Sequence, residues 1–160
     1  MKVLAAVALG SNLESEFGGR EANLREAVRR VGELGRVVAV SSFYDTEPVG
    51  YLEQPRFLNG ALLLETELAA QELMRGLLGV ERGMGRERMV GVSVAKGPRV
   101  IDLDLLVFGD VVMATEELTV PHPAMAERRF VLEPLAEIAG GMVHPGLGVS
   151  VRELLGRLGD

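Results

Sequence analysis

Residues 100–108 have the sequence VIDLDLLVF, an apolar run that two aspartates interrupt at alternate positions. Because side chains alternate between the two faces of a strand, we expect the odd-numbered residues from Ile101 to Val107 to face the core. Asp102 and Asp104 then share the opposite face, roughly 6.6 Å apart along the strand. The stretch therefore predicts a β-strand with one apolar face and one acidic face.

The chain before this strand alternates between strand patterns and helical spacing. Strands are predicted at residues 3–9, 37–44 and 57–66. A helix that ends at Gly35 follows the first of them, and a helix over Leu68–Arg82 follows the third. The order strand, helix, strand, strand, helix, strand is typical of the α+β, ferredoxin-like βαββαβ core. We therefore expect an antiparallel sheet with its helices on one face.

The chain after this strand predicts a C-terminal hairpin and a helical extension. The Gly-Asp pair at 109–110 suits a tight hairpin turn into residues 111–113. The helix that follows is expected to be kinked or interrupted at Pro134. A capping-box pattern at residues 150–153 predicts a short last helix. The length of the chain suits one domain over residues 1–160.

The composition excludes several classes of protein. A net charge of −6 and an aromatic content of 4% argue against a nucleic-acid surface. The absence of cysteine excludes thiolate nucleophiles and thiolate zinc sites. No apolar run is long enough to span a bilayer, and Val3–Leu9 is interpreted as a buried strand rather than a secretory leader. We expect a cytoplasmic monomer that binds neither nucleic acid nor membranes.

The aspartate pair is the strongest chemical signal in the sequence. Two carboxylates this close repel each other unless a cation lies between them. Magnesium takes one or two carboxylates and completes its shell with water and phosphate oxygens. Asp102 and Asp104 are therefore candidate magnesium ligands, and a solvated strand face is the alternative interpretation.

A basic cluster precedes the aspartates. Residues 81–99 contain five basic and two acidic side chains, a net charge of +3 in a chain of net −6. Because arginine matches phosphate geometry, the nearness of Arg99 to Asp102 favours phosphate binding over a solvated loop. His122, held between two prolines, is either a phosphate donor or a buried histidine with its hydrogen bonds satisfied. Neither a P-loop motif nor G-x-G-x-x-G is present, which excludes both nucleotide-binding signatures.

Phe57 and Asn59 are expected on the same face at the start of the third predicted strand. An aromatic ring and an amide together suit a flat heterocycle, because the ring stacks on its face and the amide reads its edge. Alternatively, Phe57 belongs to the core and Asn59 caps a backbone group. The local pattern alone favours this second interpretation.

An ordered series of short motifs extends over most of the chain. Its segments are LGSNL at 9–13, SSFYxTxPxG at 41–50, QPxFLN at 54–59, ExxxGRxR at 81–88, GPRxIDLD at 97–104, LTVPHP at 118–123 and RxFVLxPL at 128–135. The series resembles the 6-hydroxymethyl-7,8-dihydropterin pyrophosphokinase family of folate biosynthesis. Each segment alone is a weak signal, but the ordered set is specific.

The resemblance implies transfer of pyrophosphate from magnesium-bound ATP to the hydroxymethyl group of the pterin, with release of AMP. It implies that Asp102 and Asp104 hold two magnesium ions, and that Arg86 and Arg99 also serve catalysis. The implied ATP-binding residues are Glu81, Arg86, Arg88, Arg99, Leu105, Thr119, His122 and Arg128. The implied pterin pocket consists of Thr46, Pro48, Val49, Phe57, Asn59 and Phe130, with its two rings on either side of the ligand.

Two rival functions are considered from the sequence. One is a ferredoxin-like regulatory domain that binds a small ligand without catalysis, which would not need two aspartates on one face. The other is an RNA-binding module of similar topology, which the negative net charge opposes. Leu78, Lys96 and Glu117 depart from residues that some family members carry near ATP, which leaves the nucleotide affinity open.

Overall fold

The computed structural model describes residues 1–47, 54–85 and 99–159 of the 160-residue chain. The strands are β1 (Val3–Ser11), β2 (Arg36–Val40), β3 (Tyr44–Thr46), β4 (Phe57–Thr66), β5 (Asp102–Phe108), β6 (Met113–Ala114) and β7 (Thr119–Val120). The α-helices are α1 (Arg20–Val31), α2 (Ala70–Gly83), α3 (Arg129–Ala139) and α4 (Val151–Arg157), and a short 3₁₀ helix at Met125–Glu127 precedes α3. No helix within these ranges is long and apolar enough to cross a membrane.

β1 and β4 form the centre of the main sheet. Within the described ranges the strand order is β2-β4-β1-β5, β3 pairs with the first residues of β4, and these pairings are antiparallel. α1 connects β1 to β2, and α2 connects β4 to β5. Apart from the short strand β3, which pairs beside β2 on the same strand β4, the elements follow the βαββαβ order, and the predicted ferredoxin-like core is confirmed.

Helices cover both faces of this sheet. On one face, buried residues of β1, β4 and β5 pack with Leu24 of α1 and Leu77 of α2. On the other face, Ala6 of β1 packs with Leu132 of α3 and Leu154 of α4. The prediction of helices on one face concerned the core and is confirmed for α1 and α2, whereas α3 and α4 of the helical extension cover the other face. The second layer forms because β1 and β4 carry apolar side chains at successive positions, which would otherwise face water.

The single strand predicted at residues 37–44 is wrong, because β2 and β3 are separate strands. Ser41 forms the junction between them. Its backbone N–H donates to the carbonyl oxygen of Ala61 (2.9 Å), and its hydroxyl oxygen accepts from the Ala61 N–H (2.9 Å). The hydroxyl thus replaces a backbone carbonyl, so the strand ends without leaving Ala61 unpaired.

β5 contains an extra residue, Leu106, where its register shifts against β1. Such a bulge breaks the alternation of the side chains beyond it. Val107 consequently packs on the α3–α4 side of the sheet, and the prediction that it shares a face with Ile101 is wrong. Asp102 and Asp104 precede the bulge and follow the predicted alternation.

The turn predicted at Gly109 forms, and the predicted C-terminal hairpin forms between β6 and β7 rather than between β5 and residues 111–113. Gly109 has a φ of +56°, and the N–H of Val111 donates to the carbonyl oxygen of Phe108 (3.0 Å). Met113–Ala114 then pairs with β7 instead of β5. The turn itself depends on local residues and is confirmed. The strand with which β6 pairs depends on residues elsewhere in the chain.

The helices differ from the prediction at the end of α1 and at the proline inside α3. α1 ends at Val31 rather than at Gly35, where an added Cβ atom would stand 2.4 Å from the carbonyl oxygen of Glu65. Gly35 is therefore explained by close backbone approach and not by a helix stop. α3 continues through Pro134 without interruption. The predicted cap at residues 150–153 is confirmed on its serine side, since the Ser150 oxygen accepts from a backbone N–H of α4.

The carboxylate of Glu137 connects α3 to the edge of the sheet at β3. Its carboxylate accepts from the Ser42 N–H (3.0 Å), the Ser42 hydroxyl (3.0 Å) and the Tyr44 hydroxyl (2.7 Å). The bond from Tyr44 is the main reason that the pKa of Glu137 lies below its ordinary value. The same bond raises the pKa of Tyr44 to about 12. At neutral pH a charged acceptor and neutral donors therefore join α3 to β3.

His144 makes folding stability depend on pH. Its Nδ1 accepts from the backbone N–H groups of Gly146 (3.1 Å) and Leu147 (3.0 Å), and burial lowers its pKa below the ordinary 6.5. Protonation of Nδ1 would remove this acceptor. The unfolded chain thus binds more protons than the folded chain below pH 6.5. The contribution of His144 is complete above that pH and is lost as the pH falls towards the lowered pKa.

We predict that His144→Asn, which keeps a side-chain acceptor but does not titrate, flattens the acid decline of the unfolding free energy. The slope should fall by at most about 1.4 kcal/mol per pH unit, the limit for one proton. Urea denaturation of both proteins between about pH 8 and about pH 5 measures the difference. His122, whose pKa is also lowered by burial, is common to both proteins. Parallel curves would contradict the assignment.

Candidate active site

A cleft of about 290 Å³ opens where β1, β4 and β5 meet the first turn of α3. Its lining consists of Ala8, Leu9, Gly10, Thr46, Glu47, Phe57, Asn59, Arg99, Asp102, Asp104, His122, Arg128, Phe130 and Val131. Most of the predicted site residues that the structure describes are among them. Positions far apart in the sequence therefore converge on one cavity.

Small residues of β1 make room for the cleft. Ala6 is fully buried under the α3–α4 layer, and the next two residues on the same face of the strand are Ala8 and Gly10. A Cβ atom added to Gly10 would stand 2.9 Å from Oδ1 of Asn59 and 3.6 Å from the ring of Phe57. Any larger residue would therefore fill the floor of the cavity.

Asp102 and Asp104 form the acidic end of the cleft. Leu103 between them is buried towards the opposite face, so the two aspartates share one side of β5. The N–H of Leu103 donates to Oε2 of Glu81, at 2.7 Å. Glu81 is only 1% exposed and belongs to α2. α2 thus anchors the backbone between the two aspartates.

The donor set at this end fits magnesium. No three metal-ligating side chains converge within residues 1–47, 54–85 and 99–159. Two carboxylates are sufficient for magnesium, because this ion keeps several waters and takes its other oxygens from substrate phosphates. Asp102 and Asp104 both line the cavity and leave space beside them for such oxygens.

His122 presents a neutral N–H to the acidic end. Its Nδ1 accepts from the backbone N–H of Ala124 (3.2 Å), and its Nε2 lies 4.0 Å from Oδ1 of Asp104. Burial, followed by the charge of Arg128, lowers the pKa of His122, and Asp102 opposes the shift. The imidazole is therefore neutral at pH 7, with its proton on Nε2. One ring nitrogen is therefore satisfied within the protein and the other faces the cleft, and the role of His122 as a phosphate donor stays a prediction.

Aromatic and amide groups form the opposite end. Phe57 and Asn59 lie near the start of β4, and Phe130 lies in the first turn of α3. The amide nitrogen of Asn59 donates to Oγ1 of Thr46, at 2.5 Å. In the described part of the chain the Asn59 amide thus contacts a side chain rather than the backbone group that the alternative interpretation expects. The guanidinium of Arg128 lies 5.6 Å from the centre of the Phe130 ring, between the two ends.

The buried side chain of Asn12 connects the two ends. Its Oδ1 accepts from the N–H of Arg99 (2.7 Å), just before β5. Its Nδ2 donates to Oε1 of Gln54 (2.8 Å) and to the carbonyl oxygen of Pro55 (3.0 Å), just before β4. One amide thus joins the chain beside Asp102 to the chain beside Phe57.

Several predicted site residues are not in the cleft. The side chain of Leu105 packs into the core between the sheet and α1–α2, because it lies on the opposite face from Asp104. Glu81 is buried behind β5, and Thr119 lies exposed on β7. The position of Glu117 is explained by an ion pair with Arg75 (2.7 Å). Predictions for Pro48, Val49, Arg86, Arg88 and Lys96 fall outside the described residues.

Other lining residues were not predicted from the sequence. Ala8, Gly10 and Val131 contribute to the cavity by their small size or by their place beside predicted residues. Glu47 lines its rim and forms an ion pair with Arg56 at 3.7 Å. The alternation of small residues on β1 was the one available signal, because Ala6, Ala8 and Gly10 fall on one face of a predicted strand.

The fold and the cleft define a ferredoxin-like α+β domain, with carboxylates at one end of its cleft and aromatic rings at the other. The chain belongs to the 7,8-dihydro-6-hydroxymethylpterin-pyrophosphokinase (HPPK) family, whose model matches residues 6–140. It is 46% identical over 140 residues to the 2-amino-4-hydroxy-6-hydroxymethyldihydropteridine pyrophosphokinase of Bacillus subtilis strain 168, covering 86% of this chain and 79% of that protein.

Longer proteins contain a similar unit. The chain is 37% identical over 155 residues to the folic acid synthesis protein fol1 of Schizosaccharomyces pombe, covering 97% of this chain and 20% of that protein. The crystal structure of wild-type Plasmodium falciparum HPPK-DHPS with pteroate has a TM-score of 0.72 at 14% identity, covering 98% of this chain and 44% of that one. The chain thus spans about a fifth of fol1 and less than half of the HPPK-DHPS chain.

We predict that Asn12→Ala lowers the unfolding free energy by about 1–3 kcal/mol, because it removes three hydrogen bonds made by a buried amide. Gln54→Ala, which removes one of those partners, should cost less. The double variant should lose less than the sum of the single losses, since one hydrogen bond is counted in both. Urea denaturation of the four proteins completes the cycle. Strict additivity would show that the Asn12–Gln54 contact carries no stability.

Proposed function

We propose that this chain transfers the pyrophosphoryl group of ATP to the hydroxymethyl oxygen of 6-hydroxymethyl-7,8-dihydropterin and releases AMP, a step of folate biosynthesis. The observation that carries the proposal is the cleft, in which Asp102 and Asp104 face the same space as Phe57 and Phe130. Direct transfer from ATP to the pterin requires that the site for the phosphates and the site for the ring lie in one cavity. Membership of the HPPK family supports the same reaction.

The phosphates of ATP are proposed to bind among the basic groups of the cleft. Arg99 and Arg128 supply guanidinium groups, and His122 supplies its Nε2–H. Hydrogen bonds of this kind contribute most where negative charge develops during transfer. The resemblance of the sequence to the family adds Arg86 and Arg88 to the same role.

Asp102 and Asp104 are proposed to hold magnesium, as two ions. Bound magnesium offsets the charge of the phosphate oxygens and orients them. The protein contributes rigidity, because Glu81 anchors the N–H of Leu103 between the two aspartates. The carboxylates are therefore held in place before substrate arrives, which lowers the cost of assembling the site.

The proposed reaction needs no protein nucleophile. The hydroxymethyl oxygen forms a bond to the β-phosphorus of ATP while the bond from that phosphorus to the α-phosphate oxygen breaks. The hydroxyl proton leaves to solvent and AMP departs. The residues of this chain position the reactants and stabilise charge, as in phosphoryl transfer generally. Phe57 and Phe130 orient the ring so that its hydroxymethyl group points towards Asp102 and Asp104.

The proposed enzyme acts in the cytoplasm as a monomer on two small-molecule substrates. The direct test is to mix the protein with MgATP and the pterin alcohol and to measure AMP. A ligand-binding domain without catalysis would bind the pterin but release no AMP. An ATPase without pterin transfer would release nucleotide products in the absence of the pterin.

We predict that Asp102→Ala or Asp104→Ala removes most AMP production while the protein stays folded. Each change removes one carboxylate from a metal site whose charge stabilisation is worth several kcal/mol, so at least about a hundredfold loss is expected. Asp110→Ala, an exposed aspartate in the turn after β5, is the matched control and should retain activity. Circular dichroism checks the fold. Near-normal turnover in either folded variant would remove the aspartates from the mechanism.

We also predict different effects for the ring and the amide. Phe57→Ala should weaken all flat ligands alike, because stacking faces differ little between heterocycles. Asn59→Ala should weaken the binding of the pterin specifically, by about tenfold, since the polar edge of the pterin ring loses its hydrogen-bond partner. Fluorescence titration with 6-hydroxymethylpterin and with an analogue lacking the matching donors measures both effects. An unchanged preference in Asn59→Ala would show that this residue is structural.

A further inference from the structure

Asn23 is a polar residue of α1 whose side chain reaches the backbone on both sides of Asn12. It is fully buried and lies in the first turn of the helix. Its Nδ2 donates to Oγ of Ser11 at 3.1 Å and to the carbonyl oxygen of Leu13 at 2.7 Å. The residues immediately before and after Asn12 are therefore joined to one side chain.

The carbonyl group of Leu13 determines which way the Asn23 amide faces. A backbone carbonyl oxygen only accepts hydrogen bonds, so the amide nitrogen must lie on the side of Leu13. Oδ1 then faces Ser15, whose hydroxyl donates to it at 2.5 Å. The two bonds beside Asn12 thus do not require Ser15 for their direction. Because Asn23 is buried and all its polar groups have partners, it can affect a ligand only through other residues.

Asn12 transmits its position to both ends of the cleft. Its backbone N–H donates to the carbonyl oxygen of Arg99 (3.0 Å), and its Oδ1 accepts from the N–H of the same residue (2.7 Å). Its Nδ2 donates to Gln54 and to the carbonyl oxygen of Pro55. The side chain of Arg99 lines the cavity. A shift of the backbone at Asn12 would therefore displace the chain at the acidic end and at the ring end.

We propose that Asn23 is a positioning residue for the transfer reaction, and that it acts by holding the backbone around Asn12. It ties this backbone to α1, so that the two ends of the cleft keep their separation while both substrates are bound. The inference rests on the proposed function. Each end keeps its own binding residues without Asn23, so loss of Asn23 should disturb the alignment of the substrates more than the affinity for either. Misalignment slows transfer within the ternary complex.

The test compares Asn23→Ala with Ser15→Ala. Asn23→Ala removes both bonds beside Asn12 and places a good helix former in α1. Ser15→Ala removes the bond to Oδ1 and leaves the other two, so it is the matched control for lost stability in the same cluster. Urea denaturation gives the folded fraction of each protein. A purely structural role would lower stability in both variants and leave the rate per folded molecule unchanged.

The rate is measured as AMP formation in a single turnover, with saturating MgATP and with enzyme in excess over the pterin alcohol, because this isolates transfer from product release. Asn23→Ala should slow this step by about tenfold or more, while the Kd values for 6-hydroxymethylpterin and for a non-hydrolysable ATP analogue stay within about threefold. Ser15→Ala should keep the single-turnover rate within about twofold of the wild type.

Ser11→Ala is the second variant, since it removes only one of the two bonds beside Asn12. It should slow transfer by about threefold, and it decides the question if Asn23→Ala does not fold. Without substrates, amide hydrogen exchange of Arg99 should be faster in Asn23→Ala and Ser11→Ala but not in Ser15→Ala.

Two results would overturn the inference. If the wild type forms AMP and the folded variants at positions 11 and 23 keep its single-turnover rate, the inference fails and the proposed function survives. The same holds if Ser15→Ala slows transfer as much as Asn23→Ala does. If the wild type forms no AMP, the inference and the proposed function both fail.

Discussion

The side-chain amide of Asn12 is the contact on which the arrangement of the cleft depends. It is 2% exposed and holds Arg99 at the start of β5 together with Gln54 and Pro55 at the start of β4. Loss of this one amide would remove three hydrogen bonds that join these two segments. The acidic end and the ring end are thereby kept in a fixed relation. Direct transfer between two substrates requires this, because a small displacement of reacting groups slows a reaction strongly.

The cavity itself is a local interruption of an otherwise closed core. β1 contributes fully buried Ala6 to the layer under α3 and α4, and the same face then reaches Ala8 and Gly10, where the helices no longer cover the sheet. A well-packed interior does not tolerate empty space without cost. The cleft is stable because polar groups line much of it and water can fill it. The small residues of β1 therefore affect both the packing of the core and the space that is available to a ligand.

Local periodicity made the βαββαβ order and the paired aspartates predictable, because apolar residues mark both the element and its buried face. The break at Ser41 and the extra residue Leu106 could not be predicted, since each depends on a partner strand that the local sequence does not contain. Asn12 and Glu81 were missed as anchors for the same reason. A buried polar residue has no periodic signature, and its partners lie on distant segments. The resemblance to the family predicted residues of the site, but it did not predict that Asn12 and Glu81 hold the segments of the site in place.

The carboxylate of Glu137 joins two walls of the ring end of the cleft, because Phe130 of α3 and Thr46 of β3 both line the cavity. It sits on α3, which begins with Arg129 and Phe130, and it holds Ser42 and Tyr44 beside β3, which ends at Thr46. The gap between these walls can widen only if hydrogen bonds to a charged group are broken. A ligand at the ring end would therefore meet walls that yield little, so a flat ring would enter more readily than one with a bulky substituent out of its plane.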